Sequence, residues 1–598
     1  MQICPYQNQT NEYTEYMLIS RISIPVWVTG LATAMTACND RQPVKPNIVI
    51  ILADDMGWGD LAVNGNRFVN TPVIDKLSSG SLSFDRFYVC PLSAPTRSEM
   101  LTGRYFLRTG VSSVTQGFEN MRSDEVTIAE VFKQNGYSTG CFGKWHNGGY
   151  YMQHPLRQGF EEYVGFCMGH LGYYFDMEFV HNDTLIRSSG YTTDFFTGRA
   201  IEFIEENKDK PFLCYVPYNV PHSPFQVPEK YFSKYNSTGL DSTLSSVYGM
   251  VENMDDNIGR ILEKLTELDL DENTIVIFFS DNGPNTERWN GDMKGRKGSV
   301  DEGGIRTPFY IMWPGVIVPG TTNQLAQDID ILPTLLDLCG ISYVPEKPFD
   351  GINISGVIRG KTLSADRFIF SRQAYQNIDN NNASVRNNRF RLVRTMKDTV
   401  LYDIVNDPSQ QKDISGIEKE TVHEMSALLG KWEDELLSGY RPVTTIEAGF
   451  AGEKNFLLPV QDAILTGSIK YSSIHPNQAH TEGWKQPGDS IYWNLIIKTK
   501  GKYLVDVQYG CLEDKTGSEF ILRSNAGFCS FGIIDPFKSV ILPERDYVVR
   551  SESVERTWKW MTAGNIELSA GNEQIVLKLI KPVSNDAGLI KAIRLTRE

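Results

Sequence analysis

From Ile48 to Leu52 the chain runs through an unbroken apolar stretch rich in β-branched residues, then turns abruptly polar in "ADDMGWGD". A short continuous run of this kind predicts a strand buried on both faces, as in parallel sheets. Three further runs share its character: "YSTGCFGKWHNG" from Tyr137, "PFLCYVPYNVPHSP" from Pro211 and "TIVIFFSDNGP" from Thr274. Between them lie stretches with helical spacing. "TIAEVFKQNG" opens on Thr127 as a cap and stops at Gly136, and "VYGMVENMDDNIGRILEKLTEL" starts at Val247. Strands alternating with helices predict an α/β fold, a large mostly parallel sheet flanked by helices.

Past residue 350 the pattern changes. "FRLVRTMKDTVLYDIVNDPSQQKDISG", from Phe390, alternates like antiparallel strands, turns at Asn406-Asp407-Pro408, and leads into a helix expected over about 418–437. From about Phe450 the chain reads as short strands with glycine turns, "DSIYWNLIIKTKGKYLVDVQYG" and "NIELSAGNEQIVLKLI", which predicts an appended β-sandwich. The expected division is a leader over 1–38, a catalytic α/β domain over 45–350, a smaller antiparallel subdomain with a helix over 351–445, and the sandwich over 446–598.

Each of the four apolar strands ends in polar groups: Asp54 and Asp55; Lys144 and His146; His222; Asp281 and Asn282. In open α/β sheets the carboxyl ends of the strands are where ligands bind. Four strands therefore deliver chemistry to one edge. Asp54, Asp55, Asp281 and Asn282 are hard oxygen donors, which suits Ca²⁺ or Mg²⁺ rather than Zn²⁺. Taken singly, Asp-Asp-Met-Gly and Asp-Asn-Gly are also ordinary turn chemistry. Lys144, His146, His222, Arg97 and Lys297 are candidates to surround an anion, although spacing does not choose Lys297 over Lys294 or Arg296.

Composition narrows the partners. The formal net charge of −15 over 598 residues argues against nucleic acid, but a pocket can still be locally positive. Of nine cysteines, none forms a C-x-x-C pair, so a zinc site is not expected. Cys141 and Cys214 sit in strand-like runs as small apolar residues. Cys511 and Cys529 could pair in an exported protein, and the sequence leaves this open. Near the start, Arg21 precedes an apolar run over 22–37 that contains Pro25 and closes on Met-Thr-Ala-Cys. The run is short for a membrane span. It resembles a lipoprotein signal peptide with Cys38 as the lipidated residue. The expectation is a protein of the periplasm or cell surface, meeting the outer membrane only through its lipid anchor.

The remaining puzzle is "PLSAPTRSEMLTGR", residues 91–104. A plain serine hydroxyl is a poor nucleophile without a base. Ser93, Pro95 and Arg97, continued by Leu101-Thr102-Gly103-Arg104, resemble the signature of the type I sulfatases of the alkaline phosphatase superfamily, in their serine-type bacterial form. Ala53-Asp54-Asp55, Gly143-Lys144-Trp145-His146, Pro221-His222-Ser223-Pro224, Asp281-Asn282-Gly283, and Lys297 with Glu302-Gly303-Gly304 match the supporting blocks. The resemblance covers roughly residues 45–440, and Thr96 replaces the commoner Ser. Cys90 does not fit the signature, because Leu92 and Ala94 stand where Pro and Arg belong.

The resemblance implies that a maturation enzyme oxidises Ser93 to formylglycine (3-oxoalanine). One hydroxyl of the aldehyde hydrate attacks sulfur, forming a sulfoenzyme intermediate; the other loses its proton and expels sulfate as the aldehyde re-forms. It further implies one Ca²⁺ held by Asp54, Asp55, Asp281, Asn282 and modified Ser93, with sulfate bound by Lys144 and Lys297. Arg97 orients the hydrate, His146 is the base and His222 the acid for the leaving alcohol. A helix is expected to start near Pro95, placing its N-terminus beside Ser93. For the substrate, "CMGHLGYYFDMEFVHND" from Cys167 offers His170, Tyr173, Tyr174 and Asp176, and "NTERWNG" offers Arg288 and Trp289. The expected activity is exo-acting removal of O-sulfate from sulfated host or dietary glycans. A phosphomonoester or phosphonate hydrolase of the same superfamily and a non-catalytic sulfoglycan-binding lipoprotein are the alternatives.

Overall fold

The computed structural model describes residues 45–598 other than 364, 365 and 444. The leader and Cys38 lie outside the described residues. No helix among the described residues is long and apolar enough to cross a membrane.

Four central strands carry the fold: β1 (Asn47–Ala53), β2 (Ser138–Lys144), β3 (Phe212–Pro217) and β4 (Thr274–Ser280). β1 pairs in parallel with both β3 and β4, and β2 pairs in parallel with β3. They belong to a ten-stranded sheet whose outer members include antiparallel pairs, such as Phe309–Met312 on β4 and the hairpin Glu178–His181 with Thr184–Arg187. Every residue of β1 to β4 is buried, because both faces of the sheet are covered. Ile48, Ile50 and Leu52 enter one apolar core; Val49, Ile51 and Ala53 enter another on the opposite face. That two-sided burial accounts for the unbroken apolar run.

The helices fit their sequence signals. α1 (Ser93–Thr102) follows the extended residue Leu92. α2 (Ile128–Gln134) begins at a reciprocal cap: the Thr127 hydroxyl accepts from the Glu130 amide, and the Glu130 carboxylate accepts from the Thr127 amide. α3 (Ser242–Glu267) starts five residues before the apolar run, where the Asp241 carboxylate caps the Leu244 amide at 2.9 Å.

Further on, Ile369–Arg372, Ala383–Arg386, Phe390–Arg394 and Thr399–Asp403 form a four-stranded antiparallel sheet. α4 (Lys419–Gly439) packs on it, with Trp432 stacked on Phe370 at 5.1 Å. Val385, Leu392, Leu401 and Leu429 join one of the two cores of the large sheet.

The chain then builds two facing sheets. β5 (Ser490–Ile497) and β8 (Gly571–Lys581) pair in one; β6 (Gly501–Gly510) and β7 (Lys559–Leu568) pair in the other. Each of the two segments that read as successive strands thus crosses from one sheet to its partner. Alternate residues of β5, Ile491, Trp493, Leu495 and Ile497, fill the space between. Cys511 and Cys529 are free thiols in the sandwich core, their Sγ atoms donating to the carbonyls of Leu512 and Ala563.

Candidate active site

The ends of the central strands converge. The Asp281 amide donates to the Ala53 carbonyl at 3.1 Å, and the Asp55 amide donates to the Asp281 carboxylate at 3.1 Å. Asp54, Asp55 and Asp281 each present one oxygen, and these lie within 4.8 Å of one another. All three side chains are buried. Asp55 is wound into the left-handed region at φ 67°. The Asp281-Asn282-Gly283 turn presses against Gly303, where a Cβ on Gly283 would sit 2.0 Å from the Gly303 carbonyl. That close approach is the physical content of the two glycine-bearing motifs.

α1 meets this cluster end-on. Ser93 is its first residue, 1% exposed, with Oγ 3.3 Å from both Asp54 Oδ1 and Asn282 Oδ1. All ten residues of α1 are buried despite its polar sequence. Its hydroxyls are therefore satisfied locally. Thr96 Oγ1 donates to the Asp281 carbonyl at 2.6 Å, Ser98 to Pro95 at 2.8 Å, and Thr102 to Ser98 at 2.7 Å. Thr96, the departure from the commoner Ser, helps hold the Asp281 turn. Arg97 reaches Asp281 at 2.8 Å and the Lys144 carbonyl at 2.9 Å, and its buried Nε has no partner.

Three cations face the three carboxylates. Lys144 Nζ donates to Asp54 at 2.8 and 3.0 Å, and Lys297 Nζ lies 2.6 Å from Asp55. Of the basic cluster, Lys294 instead pairs with the Tyr402 hydroxyl and Arg296 with Glu287. His222 Nε2 stands 3.6 Å from Asp55. His146, also left-handed at φ 61°, places Nε2 2.9 Å from the Val114 carbonyl and leaves a buried Nδ1 without a partner.

Burial pushes Asp281 up to about 6, with the charge of Asp54 adding to it. Burial acts on Asp55 in the same sense, but Lys297, His222 and Lys144 outweigh it and hold that carboxyl well below the usual range. Burial lowers His222 to about 4 against the pull of Asp55, with Lys297 and Lys144 lowering it further. Lys297 is kept charged because Asp55 and Asp54 overcome its desolvation.

The residues expected to meet substrate divide. His170 is buried, has no partner on either ring nitrogen, and lies with its ring 5.6 Å from that of His222. The Tyr174 hydroxyl lies within 3.1 Å of the carbonyls of Asn219, His222 and Ser223, bracing the His222 turn. Tyr173 donates to the Pro543 carbonyl at 3.0 Å. Arg288 is spent on Asp60 and on the Asp55 carbonyl, both at 2.8 Å, so it supports the Asp55 turn from behind. Asp176 is exposed and accepts from the Gly190 amide at 2.8 Å, capping a turn. Asp60, fully buried between Arg288 and the Gly57 amide, escaped the sequence reading because nothing local marks it as a brace.

Residues 46–341 match the family model described as Sulfatase, and residues 296–435 match that of the N-sulphoglucosamine sulphohydrolase C-terminal region. The chain is 32% identical over 378 residues to the N-acetylgalactosamine-6-sulfatase of Mus musculus, spanning 57% of this chain and 70% of that protein. It is 31% identical over 410 residues to arylsulfatase A of Homo sapiens, spanning 61% of this chain and 78% of that protein. Among solved structures, Ps i-CgsB in complex with k-i-k-neocarrahexaose is similar at TM-score 0.62 and 29% identity, over 65% of this chain and 92% of that one.

Proposed function

This chain belongs to the sulfatase family of sulfuric ester hydrolases, and from that premise we propose that it is an exo-acting carbohydrate sulfatase working through a formylglycine at position 93. The observation that carries the reading is Ser93 at the buried start of α1, bonded to Asp54 and Asn282 of a cluster whose three carboxylates pair with Lys144, Lys297 and Arg97. A carbohydrate substrate is supported by the relatives named for N-acetylgalactosamine-6-sulfate and by the neighbour crystallised with a neocarrahexaose. Exo action is supported by the depth of the site, since a sulfate at a chain end reaches a buried residue more easily than one within a chain.

The donor set fits a divalent cation. Three carboxylate oxygens within 4.8 Å of one another, with Asn282 Oδ1 and Ser93 Oγ beside them, suit one hard ion that takes oxygens at about 2.3–2.6 Å, and we assign Ca²⁺. Asp54, Asp55, Asp281, Asn282 and residue 93 would hold it, and bound there it would stabilise charge on the transferring sulfuryl group. The carboxylates and the three cations otherwise balance, so a divalent ion leaves the pocket positive, as an anionic substrate requires. Formylglycine supplies a hydrated aldehyde with one hydroxyl to attack and a second to drive sulfate release.

The chain's own groups complete the chemistry. Lys144 and Lys297 bind sulfuryl oxygens. Arg97, through its unpartnered Nε, orients the group at position 93. His146 takes a proton at its unpartnered Nδ1. His222 gives a proton to the leaving oxygen; an anionic ester set beside it raises its proton affinity from the low value that burial imposes. We further propose export as an outer-membrane lipoprotein lipidated at Cys38, with a maturation enzyme acting on Ser93. The test is a panel of defined sulfated mono- and disaccharides, with 4-nitrophenyl sulfate and phosphate alongside, using protein co-expressed with its maturation enzyme. Turnover confined to the phosphate, or a peptide around Ser93 carrying unmodified serine in active enzyme, defeats the reading.

A further inference from the structure

Neither family match extends past residue 435, yet the sandwich sends two loops back to the site. On the first, Asn477 Nδ2 donates at 3.3 Å to the Val114 carbonyl, the same oxygen that His146 Nε2 meets. The second, residues 540–556, runs along the segment that carries His170. Its Pro543 carbonyl accepts from Tyr173, its Asp546 accepts from Gln226 at 2.6 Å, and its Arg550 donates to the Gly172 carbonyl. Tyr547 stacks on Phe232 with centroids 3.6 Å apart. The two loops are tied together by Ser473 Oγ donating to the Ser551 carbonyl at 3.0 Å.

From this second loop Glu552 reaches the rim of the site, where its Oε1 accepts from the hydroxyl of Ser223, the residue after His222. Burial would raise this carboxyl, but the hydrogen bonds from the Ser223 hydroxyl and from the amide of Glu552 itself hold it below the ordinary carboxylate value, so it is charged. A fixed negative charge beside a sulfate pocket works against the sulfate itself. Its chemistry suits a different part of the ligand: an ionised carboxylate only accepts hydrogen bonds, and it discriminates against anions. Buried His170, its ring 5.6 Å from that of His222, has both ring nitrogens free.

We propose that Glu552, carried in by the sandwich, is a specificity residue: it accepts hydrogen bonds from free hydroxyls next to the sulfated carbon of a neutral sugar and repels a second sulfate or a uronate carboxylate there. This rests on the sulfatase reading, and the sandwich then forms one wall of the substrate site.

The test compares wild type, Glu552→Ala and the isosteric Glu552→Gln. Turnover is measured on 4-nitrophenyl sulfate, a monosulfated N-acetylhexosamine and its disulfated counterpart. Binding of both sugars is measured by calorimetry in the Ser93→Ala background. In Glu552→Ala the ratio of kcat/KM for the monosulfated sugar to that for the aryl sulfate is expected to fall about tenfold or more, mostly through KM, with a matching loss of binding. In Glu552→Gln the preference for the monosulfated over the disulfated sugar narrows. An unchanged ratio in Glu552→Ala, an equal loss on sugar and aryl sulfate, or an unchanged mono-to-disulfated preference in Glu552→Gln overturns the proposal. A wild type that cleaves no sulfate ester fails the sulfatase reading instead, and the calorimetry still decides the role of Glu552.

Discussion

The carboxyl edge of the central sheet and the interior of the sandwich are both made by buried strands, and they use burial in opposite ways. In the sandwich, Trp493, Tyr503, Val505 and Leu577 exclude water from one another, and each apolar contact adds stability. At the sheet edge, Asp54, Asp55, Asp281, Arg97 and Lys144 are removed from water as completely, and the pairing among them has to offset a large desolvation cost. One region is organised for stability. The other holds charge in a dry, fixed geometry that has no structural need for it. Substitutions should therefore separate activity from stability by region.

The largest effect is expected from Ser93→Ala. Sulfate release should drop by at least about 10³-fold while the unfolding midpoint stays near that of wild type. A parallel loss of stability would show that α1, rather than its first side chain, is what matters. Next comes the cation. Chelation, or Asp281→Asn, should remove bound calcium by elemental analysis and lower turnover on the order of 10²-fold, with added Ca²⁺ restoring only the chelated wild type.

Leu577→Ala inverts the pattern. Emptying a fully buried position in the sandwich should cost about 2–5 kcal/mol in denaturant unfolding, with aryl sulfate turnover at 25 °C largely kept. Turnover that falls with the midpoint would erase the distinction between the regions.

The smallest effect lies at the seam. Glu119 is raised to about 8 by burial and by the charge of Asp462 of the sandwich, itself raised to about 6 and bound by Tyr150 at 2.5 Å. A carboxyl raised in the folded state binds its proton more tightly there than in the unfolded chain. Its contribution is complete below the ordinary value of 4.5 and is lost as pH rises toward 8. The thermal midpoint of Glu119→Gln should therefore gain on that of wild type as pH rises from 5 to 8, and a difference that does not change with pH would remove this role for Glu119.

Much of the edge was readable in advance because strand and ligand are adjacent in sequence. The apolar run of β1 leads straight into Asp54 and Asp55, and β4 into Asp281 and Asn282. The two-sided burial that makes the run continuous also aims its end at the ligand edge. What joins distant stretches leaves no such trace. The choice of Lys297 over Lys294 and Arg296 depends on which side chain reaches Asp55, 242 positions away. The bracing roles of Asp60 and Arg288 depend on contacts across 228 positions. The sandwich loops approach His146 and His222 from more than 300 positions further along, with nothing periodic to announce it. Asp176 read as a sugar contact from its neighbours, yet its backbone turns it out to cap Gly190.

Asp55 and His146 hold their side chains in place with a backbone twist that L-residues adopt reluctantly, at about 1–3 kcal/mol each. Asp55→Gly or His146→Gly would relax that twist and delete the functional group in the same stroke. Neither change would harden the protein: Asp55→Gly strands Lys297, whose Nζ lies 2.6 Å from that buried carboxylate, and His146→Gly empties a buried position, so selection for heat tolerance alone would keep both side chains. Hardening the molecule without disarming it means working elsewhere, in the packing of the sandwich and at the starts of its helices.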